Sequence, residues 1–241
     1  MKIIDFQTTS PEENLAMDEF FLAKAERLET GETLRFWKPV ADFVVIGRSG
    51  KVDEECFVAQ CAEDGIKILR RISGGAAVLE SAGCLNYSAV LSYSRDAVFR
   101  SITGSYERIM ADLVERFRGK GVDAEFLPYS DLAVGGRKFS GNAQARKKRY
   151  FLHHGTVLYG MDMSKVAKYL KHPPKEPEYR KRRSHGEFLT NISISAADAE
   201  SVVREAFKCG NDHWRPDPSD LGGLRDLIER KYLSDSWNLC F

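Results

Sequence analysis

The sequence predicts an α+β domain, a set of β-hairpins with helices inserted between them. Three observations predict it. Strand-like segments do not alternate regularly with long helices, which disfavours a doubly wound parallel sheet. A Gly-Gly pair, Gly135-Gly136, stands between two short strand-like runs as the turn of a hairpin. Helical periodicity occurs between strand candidates, most plainly in residues 106–117 (YERIMADLVERF).

Each element follows in chain order. Residues 2–6 read as a first strand. Ser10-Pro11-Glu12-Glu13 carries helix-start chemistry: a capping hydroxyl, a proline suited to the first turn and two acids that complement the helix dipole. Residues 14–27 continue as a helix, and Gly31 closes that region. Residues 34–37 form a short strand. Residues 42–47 (DFVVIG) form another, apolar and β-branched enough to be buried on both faces. Residues 53–64 are expected to be one helix ending at Gly65, and residues 67–71 a strand. Residues 77–80 and 85–93 look like paired strands. After the helix of residues 106–117, Gly119 and Gly121 mark a stop, and residues 124–127 form a short strand. The hairpin of residues 132–140 follows, then a strand over 151–159 and a short helix over 164–170. Residues 173–185 are charged and proline-bearing, a surface loop or short helix. Residues 196–207 and 221–232 read as C-terminal helices.

The 241 residues suit one large domain, or one domain with a small appendage, and 43% hydrophobic content provides a sizeable core. The 36 Lys and Arg nearly balance the 35 Asp and Glu, so net charge names no partner. No apolar run reaches the length of a membrane span, and the N-terminus lacks the pattern of a signal peptide. A cytoplasmic protein with no membrane partner is the expectation. The five cysteines are odd in number and form no CxxC pair, so a disulfide framework or zinc site is not expected.

Several segments could carry chemistry. In Arg70-Arg71-Ile72-Ser73-Gly74-Gly75 the glycines let backbone N–H groups approach an anion, and arginine offers a forked cationic donor. The alternative is a tight turn with two solvated arginines. No GK[ST] follows, so this is not a Walker loop. In residues 135–144 (GGRKFSGNAQ), Lys138 is a strong local charge if it points inward and a surface lysine if it points outward. His153 and His154 are neighbours on a strand, so at most one faces any given pocket and joint metal ligation is disfavoured. Asn86 could read a substrate amide or hydroxyl, and Cys84 could be a nucleophile. Residues 137–149 hold six basic residues and no acid, and residues 165–183 hold eight basic residues against Glu176 and Glu178. An anionic partner fits these runs, while no nucleic-acid-binding module is present.

Together these motifs resemble the lipoate–protein ligase family, within the biotin/lipoate ligase and octanoyltransferase superfamily. The match runs in order through residues 13–16 (ENLA), 44–48 (VVIGR), 70–75 (RRISGG), 85–88 (LNYS), Asp131-Leu132, 136–144 (GRKFSGNAQ) and 153–156 (HHGT), and covers residues 1–195. The resemblance implies a central mixed β-sheet flanked by helices, the class II synthetase-like fold of the biotin ligase catalytic domain. Residues 1–195 would be that catalytic domain and residues 196–241 a helical extension of it. The implied reaction joins lipoate to ATP and passes the lipoyl group to a lysine of a lipoyl-domain acceptor. By position in the motifs, Lys138 would be catalytic. Arg71, Ser73, Gly74, Gly75, Ala76, Asn86, Gly141, His154, Gly155 and Thr156 would bind the acyl substrate. Arg70, Asp131, Lys138, Ser140 and Asn142 would bind the nucleotide, with Asp131 a candidate for Mg2+.

Three departures stand out. Ala76 replaces the family's third glycine, Glu80-Ser81 replaces a histidine–aspartate pair, and Cys84 replaces an asparagine. About 45 residues follow the catalytic part, fewer than in two-domain ligases. An accessory subunit would complete a ligase of that kind. The alternative is an ATP-independent octanoyl or lipoyl transferase. Cysteine-dependent members of that class carry their cysteine shortly before the lysine hairpin, where residues 126–131 (FLPYSD) contain none. A non-catalytic lipoate-binding protein is the third reading.

Overall fold

The computed structural model describes residues 1–6 and 8–241. Among them, the strands are β1 (Lys2–Ile4), β2 (Thr33–Trp37), β3 (Phe43–Ile46), β4 (Lys67–Arg70), β5 (Val78–Glu80), β6 (Cys84–Ser92), β7 (Glu125–Leu127), β8 (Asp131–Val134), β9 (Arg137–Arg146), β10 (Tyr150–Leu158) and β11 (His213–Trp214). The helices are α1 (Pro11–Glu26), α2 (Val52–Glu55), α3 (Val58–Glu63), α4 (Ile102–Gly119), α5 (Ser164–Tyr169), α6 (His185–Phe188), α7 (Ala196–Ala206), α8 (Pro218–Leu227) and α9 (Asp235–Asn238). A π-helical stretch, Ile228–Tyr232, joins α8 to the last turn.

Eight strands form one sheet in the order β11-β1-β2-β6-β10-β9-β8-β7, and β4-β3-β5 form a smaller one. The large sheet is mixed: β11, β1 and β2 are parallel, and the rest is antiparallel. Side chains alternate along each strand, so the large sheet has two distinct faces. On one, Tyr87, Ala89, Leu91 and Phe151 pack with α4 and α7 in a hydrophobic core. On the other, Val90 and Leu152 pack under α1, which α8 and the π stretch cover from outside through Leu224 and Tyr232. The small sheet turns Val44, Ile46 and Leu79 toward a third cluster with Val52, Cys61 and Val166.

Local sequence explains the main elements. Ser10 caps α1, with Ser10 and Glu13 each bonding the other's backbone N–H, and Pro11 opens the first turn. This helix is buried on most of its circumference because layers cover it on both sides. The β8–β9 hairpin turns on Gly135 and Gly136, both left-handed at φ +55° and +69°, which suits a two-residue primed turn. β3 is buried along its whole length, as its apolar run predicts.

Two expectations are corrected, and one strand was not anticipated. The helix over residues 53–64 is two short helices, because the chain is extended at Cys56, which bridges to Leu170, while Phe57 N–H donates to the Tyr169 carbonyl. Tertiary pairing there overrides helical propensity. Residues 77–80 and 85–93 do not pair. A turn closed by Cys84 N–H to the Ser81 carbonyl carries the chain between sheets, so β5 joins β3 while β6 lies between β2 and β10. The two-residue strand β11 is too short for any periodic signal and is held by its pairing with β1. The C-terminal part is integrated with the core: Ala199, Val202 and Val203 of α7 are buried against the α4 layer.

Candidate active site

The functional motifs collect on the α1 face of the large sheet. Strand register explains why. His154 is opposite Ser88 on β6 and Ala143 on β9, while Thr156 is opposite Asn86 and Gly141. Gly141 is in turn opposite Asp131 on β8. Directly paired residues point to the same face, and residues two apart share a face. Asn86, Ser88, His154 and Thr156 therefore form a polar strip, with Asp131 and Gly141 continuing it. His153 and Tyr87 point the other way, into the α4 core.

At one end of the strip, Lys138 Nζ is 2.8 Å from Asp131 Oδ1. A methyl group on Gly141 would lie 2.6 Å from that Nζ, so the absent side chain is the space the lysine crosses. Lys138 thus turns inward and stays only partly exposed. Tyr179 donates its hydroxyl to the other Asp131 oxygen at 2.5 Å. Burial and the adjacent Asp131 carboxylate push the Tyr179 hydroxyl's pKa well up, so it remains a donor. Tyr179 comes from the basic segment after α5, a contact with no motif to announce it.

The middle of the strip holds Glu80, from β5. Asn86 donates to Glu80 Oε2 at 2.6 Å, and the Thr156 hydroxyl lies 3.1 Å from Oε1 and in contact with Asn86 Oδ1. Burial raises the Glu80 pKa, opposed by the Asn86 and Thr156 bonds and by Arg71 and His154. The residue that departs from the family's histidine is therefore a buried acid among the predicted substrate-binding residues.

The other end is a linear relay. Ser73 Oγ is 2.6 Å from His154 Nε2, and His154 Nδ1 is 2.6 Å from Asp18 Oδ2. The Ser88 hydroxyl donates to Asp18 Oδ1 at 2.5 Å. Arg71 Nε donates to Ser73 Oγ at 3.1 Å, and its other nitrogens donate to the carbonyls of Val45, Gly74 and Ala76. Burial lowers the Arg71 pKa to about 10, opposed by Glu55 and Glu80, so the group stays charged at neutral pH. No acidic oxygen forms an ion pair with it among the described residues.

The predicted residues do not all arrive at this face. Arg70 is fully buried, and its guanidinium donates to the carbonyls of Gly47, Arg48, Gly50, Trp237 and Cys240. Its place is a clamp that ties α9 and the last residues to β4, not the nucleotide contact expected of it. Asn142 faces the opposite side, with its amide committed to Tyr87, Ser130 and Ser140. Ser140 is buried beside it. Gly155 also serves that side: a methyl there would lie 1.9 Å from Asn142 Oδ1. Gly74, Gly75 and Ala76 form an exposed loop over Ser73. Cys84 is fully buried, its thiol against Met161 Sδ, and burial raises its pKa far above the range of a reactive thiolate.

Each Asp131 oxygen already accepts one bond, from Lys138 or from Tyr179, so a metal ion there would share those oxygens with the two donors. Among the described residues, no group of three or more His, Cys, Asp or Glu is arranged to hold one. A Mg2+ at this site would arrive coordinated by nucleotide phosphates.

The family model described as the lipoyl protein ligase A/B catalytic domain matches residues 10–208. The chain belongs to the lipoyl protein ligase A/B family. This is an enzyme family that transfers lipoyl groups to proteins. The chain is 32% identical over 157 residues to a probable lipoate-protein ligase A of Mycoplasma pneumoniae, covering 65% of this chain and 45% of that protein. It is 27% identical to the octanoyltransferase LipM of Anoxybacillus flavithermus, covering 98% of this chain and 97% of that protein. The chain therefore spans less than half of one relative and nearly all of the other. Among solved structures, it superposes with a TM-score of 0.82 and 24% identity on a chain from the study of a bi-partite lipoate protein ligase and its E2 lipoyl domain from Thermoplasma acidophilum, covering 99% and 95% of the two chains. It superposes with a TM-score of 0.81 and 24% identity on a lipoate-protein ligase A bound with ATP, covering 99% and 98%. These likenesses establish the fold: a large mixed sheet flanked by helices. No helix of the described residues is long and apolar enough to cross a membrane.

Proposed function

We propose that this member of the lipoyl protein ligase A/B family is a lipoate–protein ligase, which forms lipoyl-AMP from lipoate and ATP and passes the lipoyl group to a lysine of a lipoyl domain. The observation that carries the reading is the inward Lys138, held over Gly141 by Asp131 at the end of a buried polar strip, with no cysteine in residues 126–131 just before the hairpin. A fixed ammonium there stabilises negative charge as it develops on the acyl carbonyl and the departing phosphate. Asp131 and Tyr179 are positioning residues that limit where the ammonium can go. Arg71 and the loop of residues 74–76 supply further positive charge and N–H donors beside the acyl chain's carboxyl end. The ATP-bound neighbour supports nucleotide use, and the neighbour described with its E2 lipoyl domain supports that acceptor.

A second reading, an ATP-independent octanoyl or lipoyl transferase, is favoured by the near end-to-end match to LipM. Lipoate-dependent release of pyrophosphate from ATP separates the two. A ligase releases it and loses the release in Lys138→Ala; a transferase releases none with or without acceptor.

A further inference from the structure

Ser73, His154 and Asp18 form a serine–histidine–carboxylate relay that the ligase reaction above does not use. Both links are 2.6 Å, and they connect opposite ring nitrogens of His154. Asp18 is an acceptor, so Nδ1 carries the proton and Nε2 is free to accept the Ser73 hydroxyl. Ser88 holds the second Asp18 oxygen and fixes the carboxylate's rotation. This is the geometry of an activated nucleophile: hydroxyl, base, and a third group that orients the base.

The surroundings suit an acyl group rather than a structural role alone. Arg71 places a buried positive charge 3.1 Å from Ser73 Oγ, which favours the anionic character an attacking oxygen acquires. The backbone N–H groups of Gly74, Gly75 and Ala76 have no acceptor among the described residues, although they lie beside the nucleophile. Such donors are what an oxyanion on the adjacent carbonyl carbon requires. His154 is partly open to the site, and the loop over Ser73 is exposed, which provides a route for the donor. Cys84, at the start of the same strand as Asn86 and Ser88, is fully buried with its thiol against Met161 Sδ.

We propose that Ser73 is an acyl-accepting nucleophile, through which the protein takes a medium-chain acyl group from a thioester without ATP. In the first half-reaction Ser73 Oγ attacks the thioester carbonyl and its proton passes to His154 Nε2. The C–S bond then breaks, and the leaving sulfur takes that proton and departs as a thiol. An ester remains on Ser73. In the second half-reaction a neutral lysine amine attacks the ester carbonyl and the C–O bond breaks. The amine's proton returns to Ser73 through His154, leaving an amide. The proposal rests on the reading that this face of the sheet binds an acyl chain, and it supplies the nucleophile that the transferase route would otherwise lack.

The test incubates the full chain with S-octanoyl-N-acetylcysteamine, without nucleotide or acceptor, followed by acid quench, intact mass and peptide mapping. The expected result is one octanoyl group on Ser73, sensitive to hydroxylamine and absent in Ser73→Ala. His154→Gln should slow its formation at least a hundredfold, while Ser73→Cys should still be acylated. No adduct on wild type, an adduct that survives in Ser73→Ala, or one that maps to Cys84 overturns the proposal. Thermal stabilisation by lipoate and octanoate is measured on the same samples. Stabilisation without an adduct removes only the serine nucleophile; neither stabilisation nor adduct removes the acyl-site reading as well.

Discussion

Lys138 illustrates how a single side chain becomes a functional group through its neighbours. A lone lysine in a sequence is a surface residue by default, but the missing side chain at Gly141 and the Asp131 carboxylate draw this one inward. Lys138→Ala should lower turnover a hundredfold or more with little change in melting temperature, because the group is partly exposed and acts on charge in the transition state. Gly141→Ala should reproduce part of that loss by displacing the flexible lysine. Activity should fall about tenfold or more while stability changes by no more than about 1 kcal/mol. His153 gives a pH prediction. Burial pushes its pKa down to about 3 from the ordinary 6.5. It is neutral in the fold and protonated in the unfolded chain below 6.5, so the unfolded state binds the extra proton and stability falls as pH drops through that window. Urea midpoints should decline from neutral pH toward about pH 4, and His153→Gln should flatten part of the decline. An equal slope in the variant would assign the acid sensitivity to other groups. At this scale Lys138, Arg71, Ser73, Asn86, His154 and Thr156 were legible as motif residues, and the alternation of the two histidines followed from strand geometry alone. Asp18 and Tyr179 were not, because each reaches the strip from a different element through contacts that leave no local spacing, and Glu80 stood out only as a departure from the family's motif. Arg70 looked like a ligand residue because the sequence shows a guanidinium but not the five carbonyls that surround it.

The elements that carry the site are the ones with strong local rules. The Gly135-Gly136 turn, the capping box of α1 and the apolar run of β3 each specify a structure within a few residues, and each is present. Elements whose form depends on distant partners were misjudged. The helix over residues 53–64 breaks to meet Leu170 and Tyr169, and β5 leaves its sequence neighbour for β3. Two substitutions test this element scale. Gly155→Ala places a methyl against Asn142, whose oxygen is also held by Tyr87, so it cannot yield freely as Lys138 can. A stability loss of about 1–3 kcal/mol is expected in denaturant unfolding, with activity falling because His154 and Thr156 flank the site. Arg70→Met should loosen the C-terminal clamp by leaving several buried carbonyls unpaired. A loss of about 2–4 kcal/mol and earlier proteolysis of the last turn are expected. An unchanged unfolding midpoint would show that the clamp contributes nothing.

Over the whole molecule, the polar strip lies on one face of the large sheet, beside the part that packs under α1, while the other face packs against α4 and α7. Period-two alternation makes this division possible, since the same strands present His153 and Tyr87 to the α4 core and His154 and Asn86 to the site. The basic runs divide in a similar way. Arg137, Arg180 and Arg183 are spent on backbone carbonyls, while Lys147, Lys148, Lys175, Lys181 and Arg182 remain exposed. The exposed set is the part able to steer an acidic lipoyl domain. The acceptor's KM should therefore rise between about 0.05 and 0.5 M salt while kcat stays within about twofold. A flat KM would remove electrostatic docking from the account. The most direct test of the central claim is mass spectrometry of a purified apo lipoyl domain incubated with this protein, lipoate and Mg-ATP. The account predicts one lipoyl group on one lysine, dependent on ATP and lost in Lys138→Ala. Modification that proceeds equally without ATP, or undiminished in Lys138→Ala, would contradict it.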